Sequence, residues 1–316
     1  MANSIISKSD QRTAIAVFAY NRPEKLEACL NSLLQSEKSE QLDIWIFQDG
    51  EKNGFQDSNH HKTTEVIKKF TKIRDIHFQQ AKENLGLQES IVLGINHVLE
   101  KFNRIIVIED DLILSTSFIK FCLNYLDIYE NDSRVASIHG YAYPIENSSN
   151  LPYFLQGADC WGWATWKDRW NHFEPDAKKL LNNLKRKKIE YKFDLNGSMG
   201  YSNMLYRQSI GKLNSWAIRW HASMYLENRV TLYPPQSLIR NNGMDGSGTN
   251  LKTTDFFETE LGKFDNCHVY VEPLVSTKIL KSLIQYHRKN NRYSLLKIIT
   301  YKILDLSGMY GKIVFK

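Results

Sequence analysis

Apolar and polar residues alternate in blocks along the first 110 positions, and the period inside each block separates strand from helix. "TAIAVFAY" (13–20) is a nearly continuous apolar run, which reads as a buried strand. "PEKLEACLNSLLQS" (23–36) sets leucines at helical spacing behind Pro23, a residue preorganised for the first helical position. "LDIWIFQDG" (42–50) is a second strand closed by an Asp-Gly turn, "TTEVIKKFTKI" (63–73) a helix and "DIHFQQ" (75–80) a short strand. "LQESIVLGINHVLEKF" (87–102) keeps its apolar residues on one helical face. "RIIVIEDD" (104–111) is then a strand, and "STSFIKFCLNYLDIYE" (115–130) a helix with a Ser/Thr start signal. Strands alternating with helices build right-handed βαβ units and a mostly parallel sheet.

Residues 135–250 are aromatic-rich and less regular. "VASIHGYAYP" (135–144) reads as a strand, "WGWATWKDRW" (161–170) as a tryptophan-dense entry to a helix, and "SWAIRWHASMYLENR" (215–229) as a helix. "TLYPPQSLI" (231–239) is extended and "RNNGMDGSGTN" (240–250) a glycine-rich loop. From about residue 276 an apolar, basic tail follows as an appendage, with Leu296, Ile299, Ile303 and Leu306 on one helical face.

The length of 316 residues allows two domains or one large α/β domain with an appendage. A 42% hydrophobic content supports a sizeable core, and 16 glycines with 7 prolines are too few for a linker-rich chain. Cys29, Cys122, Cys160 and Cys267 form no CxxC pair, so reduced thiols in the cytoplasm are expected instead of a disulfide framework or a zinc site. The N-terminal segment lacks the apolar stretch of a secretory signal, and no run approaches the roughly 20 apolar residues that cross a bilayer. The net charge of +6 is concentrated in the tail, where nine Lys/Arg from Lys278 to Lys316 face Asp305 alone. Such a tail suits an anionic membrane face, or else it packs on the body or on a partner subunit. Nucleic-acid binding is not expected, because the basic residues are mixed with an apolar stripe. HExxH, Gly-x-Ser-x-Gly, Walker and GxGxxG motifs are all absent.

Ligands of parallel α/β sheets sit at the carboxyl ends of the strands, and here three strand ends carry polar clusters: "YNRP", "QDG" and "EDD". In the last of these, Glu109, Asp110 and Asp111 follow one another with no lysine or arginine beside them in the chain. Hard cations take oxygen ligands, and Mg²⁺ commonly uses one or two carboxylates plus substrate phosphates. The same acids alternatively form a solvated turn that caps the next helix. The tryptophans Trp161, Trp163, Trp166 and Trp170 either stack against a sugar ring or pack in the core. The glycine-rich loop is either a lid over a bound ligand or a plain surface turn.

The ordered set "IAVFAYNRPEKLEACLNSLL", "IFQDG", "ENLGLQESIVLGI" and "VIEDDLILSTSFIKF" resembles nucleotide-sugar glycosyltransferases of the GT-A fold, and its start resembles family 2. "VIEDDL" is similar to the E-D-D variant of the DxD motif in N-acetylglucosaminyltransferase I. "GWATWKDRW", "NSWAIRW" and "DGSGT" resemble a bacterial group linked to surface polysaccharide synthesis. The resemblance spans roughly residues 13 to 250. It implies an α/β GT-A domain over 1–275, with a nucleotide-sugar-binding half at 13–112 and an acceptor-binding half at 113–275. The helical basic amphipathic extension occupies 276–316.

The resemblance also implies roles at the matching positions. Tyr20, Asn21 and Arg22 would line the base and ribose, Asp49 would contact the base, and Asn84 and Gly86 would form a turn that approaches the nucleotide and sugar. Glu109 and Asp110 would meet the donor ribose and sugar, and Asp111 would ligate Mn²⁺ or Mg²⁺. Asn250 stands where related sequences carry a histidine, and its amide oxygen would be a weaker second ligand. Trp161, Trp163 and Trp166 are the acceptor candidates. An inverting enzyme needs a carboxylate to deprotonate the acceptor hydroxyl, and many relatives place it at the start of the helix that matches "SWAIRW". No acid stands there, which leaves Asp159 and Asp245 as candidates; a retaining reaction would use no such base. The implied partners are a nucleotide-diphosphate sugar, with UDP-sugars favoured, and a saccharide or lipid-linked saccharide acceptor. The implied location is the cytoplasm, peripheral on the inner face of the cell membrane. A non-catalytic sugar-nucleotide binder or assembly protein with this fold is the alternative. A nucleotidyltransferase would be expected to carry a glycine-rich phosphate loop after the first strand, and "FAYNRPEKL" has none.

Overall fold

In the computed structural model, which describes residues 12–52, 57–145, 150–243, 256–265, 269–291 and 294–314, the apolar runs become the inner strands of one sheet. The first half comprises β1 (Thr13–Ala19), α1 (Pro23–Leu34), β2 (Asp43–Gln48), α2 (Ser58–Thr71), β3 (Ile76–Gln80), α3 (Leu87–Lys101) and β4 (Arg104–Glu109). There follow β5 (Leu112–Leu114), α4 (Phe118–Ile128), β6 (Val135–His139), β7 (Tyr153–Gln156), β8 (Trp163–Trp166) and α5 (Lys167–Trp170). Helices α6 (Ala177–Lys187), α7 (Glu190–Phe193), α8 (Tyr201–Ser209) and α9 (Trp216–Leu226) precede β9 (Val230–Tyr233) and β10 (Ile239–Asn241). The chain then runs into α10 (Thr277–Asn290), α11 (Leu295–Leu306) and α12 (Tyr310–Val314).

The eight-stranded sheet has the order β3-β2-β1-β4-β8-β6-β9-β7. Its β3-β2-β1-β4 half is parallel throughout, as βαβ connections require. Beyond β4 the sheet is mixed, with β8 antiparallel to both β4 and β6 and β7 antiparallel to β9. Alternation along β1 feeds two cores. Ile15, Val17 and Ala19 pack with α1 and α4 residues such as Leu26, Leu30 and Phe121, while Ala14, Ala16 and Phe18 pack with Ile91, Ile95 and Trp220 of α3 and α9. With both faces covered, β1 and β4 can be apolar nearly throughout.

Register fixes where the strands stop. Ala19 pairs with Gln48 and Phe18 with Glu109, so the carboxyl ends of β1, β2 and β4 lie level. The ladder continues one step further, with the Asp49 amide donating to the Ala19 carbonyl and the Asp110 amide to the Phe18 carbonyl, each at 3.0 Å. A separate two-stranded ribbon, β10 antiparallel to β5, brings the entry of the glycine-rich loop beside the strand end that carries the acids.

The tail divides in two. Helix α10 buries Ile279 and Leu283 against Tyr153, Leu155 and Tyr233, so it packs on the body. By contrast, α11 buries no residue.

Candidate active site

Four turns converge at the carboxyl edge of β3-β2-β1-β4. Each follows a different strand, and their order across the site is that of the strands.

Arg22 is the N-cap of α1, and from there its guanidinium reaches the end of β4. It donates to both carboxylate oxygens of Asp110, and at 2.8 Å to Oδ2 of Asp111. The acids have no basic neighbour in the chain, and a residue 88 positions away supplies the cation. One guanidinium among three carboxylates leaves surplus negative charge. Desolvation, reinforced by Asp111 and Asp110 and opposed by Arg22, raises the Glu109 pKa. Asp110 is raised chiefly by desolvation, against the pull of Arg22. For Arg22, burial works to lower the pKa, but Asp110 and Asp111 outweigh it and push it above its usual value. Gly243, just past β10, abuts this cluster: a Cβ there would lie 2.2 Å from Asp111 Oδ2. The Asn242 amide also donates to the Asp111 carbonyl at 2.8 Å. A side chain at this position would push the Asp111 carboxylate aside.

This oxygen-rich donor set with excess negative charge fits a hard divalent cation in chemistry. Among the described residues no group of three or more His, Cys, Asp or Glu side chains is arranged to hold an ion unaided. The fit is thus that of a partial cage, which substrate oxygens would complete. Asn250 and Asp245 lie outside the described residues.

Asp49 has a different place from the one expected. Its buried carboxylate accepts from the amides of Gly50 (2.9 Å), Leu85 (2.8 Å) and Gly86 (2.9 Å) and from Asn84 Nδ2 (3.1 Å). A carboxylate offers about four acceptor positions, so the chain itself fills them, and no vacancy is left for the base contact the resemblance implied. Asp49 instead clamps the Asn84–Gly86 turn to the end of β2. Gly86 has φ +79°, a backbone conformation that favours glycine, and it is the N-cap of α3. The same turn touches α9, since a Cβ on Gly86 would lie 3.7 Å from Asn214 Nδ2. The start of that helix is therefore at the site, although Asn214 and the N-cap Ser215 supply no acid there.

Tyr20 and Asn21 complete the near wall. Asn21 Nδ2 donates to Asp57 at 2.6 Å, and Asp57 caps α2 by accepting from the Asn59 and His60 amides. The polar stretch around His60 and His61 reads in the sequence as surface, yet His60 is buried. Its Nε2–H donates to the Asp49 carbonyl at 2.8 Å, and its ring lies 5.7 Å from that of Tyr20. The signal lay in helical phase: His60, Thr64, Ile67 and Phe70 share the inward face of α2.

Asp159 lies on the far wall, partly exposed. It accepts from Tyr143 Oη at 2.8 Å, from Tyr233 Oη at 3.4 Å and from the Cys160 amide at 3.0 Å. The Cys160 thiol is raised well above its usual pKa by burial first and then by Asp159, Glu109 and Asp111, so Asp159 and the β4 acids act on one neighbourhood.

The tryptophans separate. Trp163 is fully buried among Trp170, Trp216 and Trp220, with centroid separations of 5.6–5.9 Å. Trp166 is buried on the opposite face of the sheet, where its Nε1–H donates to the Leu126 carbonyl. Both are removed from the acceptor set, because neither ring has a face open to a ligand. Trp161 alone is half-buried, 5.1 Å from the rings of both Tyr141 and Phe257. Its amide donates to His139 Nε2, while His139 Nδ1–H donates to the Tyr141 carbonyl.

The family described as Glycosyl transferase family 2 matches residues 14–155, from β1 into β7. That match and the sheet architecture agree with the GT-A fold. No curated protein matches the chain. Among solved structures, S. aureus TarS 1-349 is 10% identical over 74% of this chain and 62% of that one, with a TM-score of 0.44. The same protein in complex with UDP-GlcNAc is 13% identical over 45% and 37%, with a TM-score of 0.34. A cytidylyltransferase from Leptospira borgpetersenii serovar Hardjo-bovis is 12% identical over 52% and 63%, with a TM-score of 0.34. In each case the chain spans less than two thirds of the other protein's length.

Proposed function

We propose that this chain is a glycosyltransferase that moves a sugar from a nucleoside-diphosphate sugar to a hydroxyl of a saccharide acceptor. The observation that carries the reading is the gathering of four strand-end turns at one sheet edge, where Glu109, Asp110 and Asp111 are only partly compensated by Arg22. In this reading residues 13–112 hold the donor, residues 113–275 the acceptor, and residues 276–316 form a basic extension. The reaction belongs at the cytoplasmic face of a membrane, in the assembly of a bacterial surface glycan.

Tyr20, Asn21 and the Asn84–Gly86 turn would border the nucleoside, with Asp49 and His60 as positioning residues behind them. Glu109 and Asp110 would meet the ribose and sugar hydroxyls. Asp111, with Asn250 as a further candidate, would hold Mn²⁺ or Mg²⁺, which when bound supplies Lewis-acid stabilisation of the leaving diphosphate. Arg22 is placed to share its positive charge between Asp110, Asp111 and an incoming diphosphate. Trp161 would meet the acceptor ring through its exposed part.

In the inverting mode Asp159 would take the proton of the acceptor hydroxyl as that oxygen bonds to the anomeric carbon. The bond from that carbon to the phosphate oxygen breaks in the same step, and the nucleoside diphosphate departs with the electron pair. The hydroxyls of Tyr143 and Tyr233 would orient the Asp159 carboxylate.

The absence of an acid at the start of α9, where Asn214 and Ser215 stand, favours a second reading as a sugar-nucleotide binder without transfer. One experiment decides between them. Purified chain and its Asp111→Ala variant are incubated with a panel of UDP-, GDP- and CDP-sugars, with Mn²⁺, with Mg²⁺ and with EDTA. Cation-dependent release of nucleoside diphosphate, lost in the variant, is the expected result. Binding without release supports the second reading, and absence of cation-assisted binding to any donor overturns both.

A further inference from the structure

Helix α11 presents Leu295, Leu296, Ile299, Ile303 and Leu306 to solvent at 47–78% exposure. At 3.6 residues per turn these five side chains fall within an arc of about 100°. The helix nevertheless has a fixed seat. Tyr301, on its other side, lies 5.5 Å from the ring of Tyr310 in α12, and Tyr310 Oη donates at 3.0 Å to the buried carboxylate of Asp194. The apolar stripe is therefore held outward by the body instead of being left over from poor packing.

Charge surrounds the stripe. Lys302 flanks it on α11 and is exposed. Beside it, between α6–α7 and α11–α12, lies a cavity of about 640 Å³ lined by Lys185, Lys188 and Lys312, with Tyr191, Glu190 and Asp305. Leu306 belongs to both the stripe and the cavity wall. The last turn of α6 adds Arg186 and Lys187 next to Lys185 and Lys188. Among the described residues no helix is long and apolar enough to cross a bilayer.

We infer that α11 and the adjoining lysine-lined cavity form a docking surface for an anionic phospholipid bilayer. The apolar stripe enters the boundary between headgroups and acyl chains, and Lys185, Lys188, Lys302 and Lys312 meet headgroup phosphates. A bilayer is the favoured occupant because the lysines beside the apolar stripe complement headgroup phosphates. The inference deepens the membrane part of the proposed function, but it stands on geometry that needs neither donor nor acceptor.

The test is co-sedimentation of the full chain with sucrose-loaded vesicles of phosphatidylcholine, with and without about 30% phosphatidylglycerol, at low and high salt. Partitioning at least tenfold stronger to the anionic vesicles is expected, with loss of binding as salt rises. Ile299→Asp/Ile303→Asp should lower it at least tenfold, and Lys188→Glu/Lys312→Glu severalfold, with thermal melts confirming that both variants fold. Failure of the wild type to sediment with anionic vesicles at low salt overturns the inference, as does equal binding by the double-aspartate variant. A wild-type dimer that becomes monomeric in that variant overturns it too, because a second copy then covers the face. Nucleotide-sugar binding, measured on the same preparations, reports separately on the transferase reading.

Discussion

Replacing Arg22 by methionine keeps the length and most of the apolar stem of the side chain but removes the guanidinium paired with Asp110 and Asp111. Removing one partner of a buried ion pair costs about 3–5 kcal/mol. The Arg22 side chain retains 21% exposure and that of Asp111 13%, so the lower end, about 3 kcal/mol, applies. For a chain of this length that is a fall in melting temperature of about 4–5 °C. The loss must depend on pH. Arg22 opposes the rise of both the Glu109 and the Asp110 pKa, so without it both acids hold their protons to still higher pH in the folded state. The unfolded chain releases those protons near pH 4, so stability falls as pH rises above that value, and falls further in the variant. The difference between the two proteins should be small near pH 5 and largest near pH 8. A cation that neutralises the acids should restore part of it: Mn²⁺ at ten times its dissociation constant returns about 1.4 kcal/mol. Calorimetric melts at pH 5, 6.5 and 8, with and without Mn²⁺ and without nucleotide, read all of this. A variant that melts within 1 °C of the wild type at pH 8, or that gains no more from Mn²⁺ than the wild type does, refutes the claim that Arg22 compensates the acids.

Two further outcomes follow from buried groups. The Asp194 carboxyl is pushed up to about 7 by burial, against hydrogen bonds from Ser202 and Tyr310, so the folded chain keeps a proton there that the unfolded chain loses near pH 4. Stability should decline as pH rises from about 4 to about 7, and Asp194→Asn should flatten that slope in urea titrations at stepped pH. Trp163→Ala should cost about 3–5 kcal/mol of stability in the same assay. Trp161→Ala should cost less stability, about 1–3 kcal/mol from its two edge-to-face contacts, while raising the KM for the acceptor, and a larger loss than for Trp163→Ala would contradict the burial of these two rings.

The parallel half of the sheet was legible because β1 and β4 are nearly all apolar and α1 and α3 carry helical periodicity behind Pro23 and Gly86. The strand ends were legible for the same reason, since an apolar run that stops at "QDG" or "EDD" marks a carboxyl edge. What lay beyond reading were pairings distant in the chain. Nothing near the acids announces Arg22, and nothing near Asp49 announces that the amides of Leu85 and Gly86 will fill it. The tryptophans misled because density of aromatic residues looks the same for a sugar platform and for a core. Only the β8 alternation, which sends Trp163 to one face of the sheet and Trp166 to the other, decides it. The tail was legible as an amphipathic stripe, but its division into a docked α10 and an outward α11 depends on which side finds Tyr153 and Tyr233.

The short ribbon of β5 and β10 ties the acid-bearing turn to the segment that follows Asn241, and Gly243 leaves no slack between them. Whoever exchanges that segment for one from another sequence is bound by this seam. A splice placed after residue 243 keeps β10 and Gly243 against Asp111, whereas a splice before Ile239 removes the strand that seats it, and a side chain at 243 forces the acid to shift before a new loop can be tried.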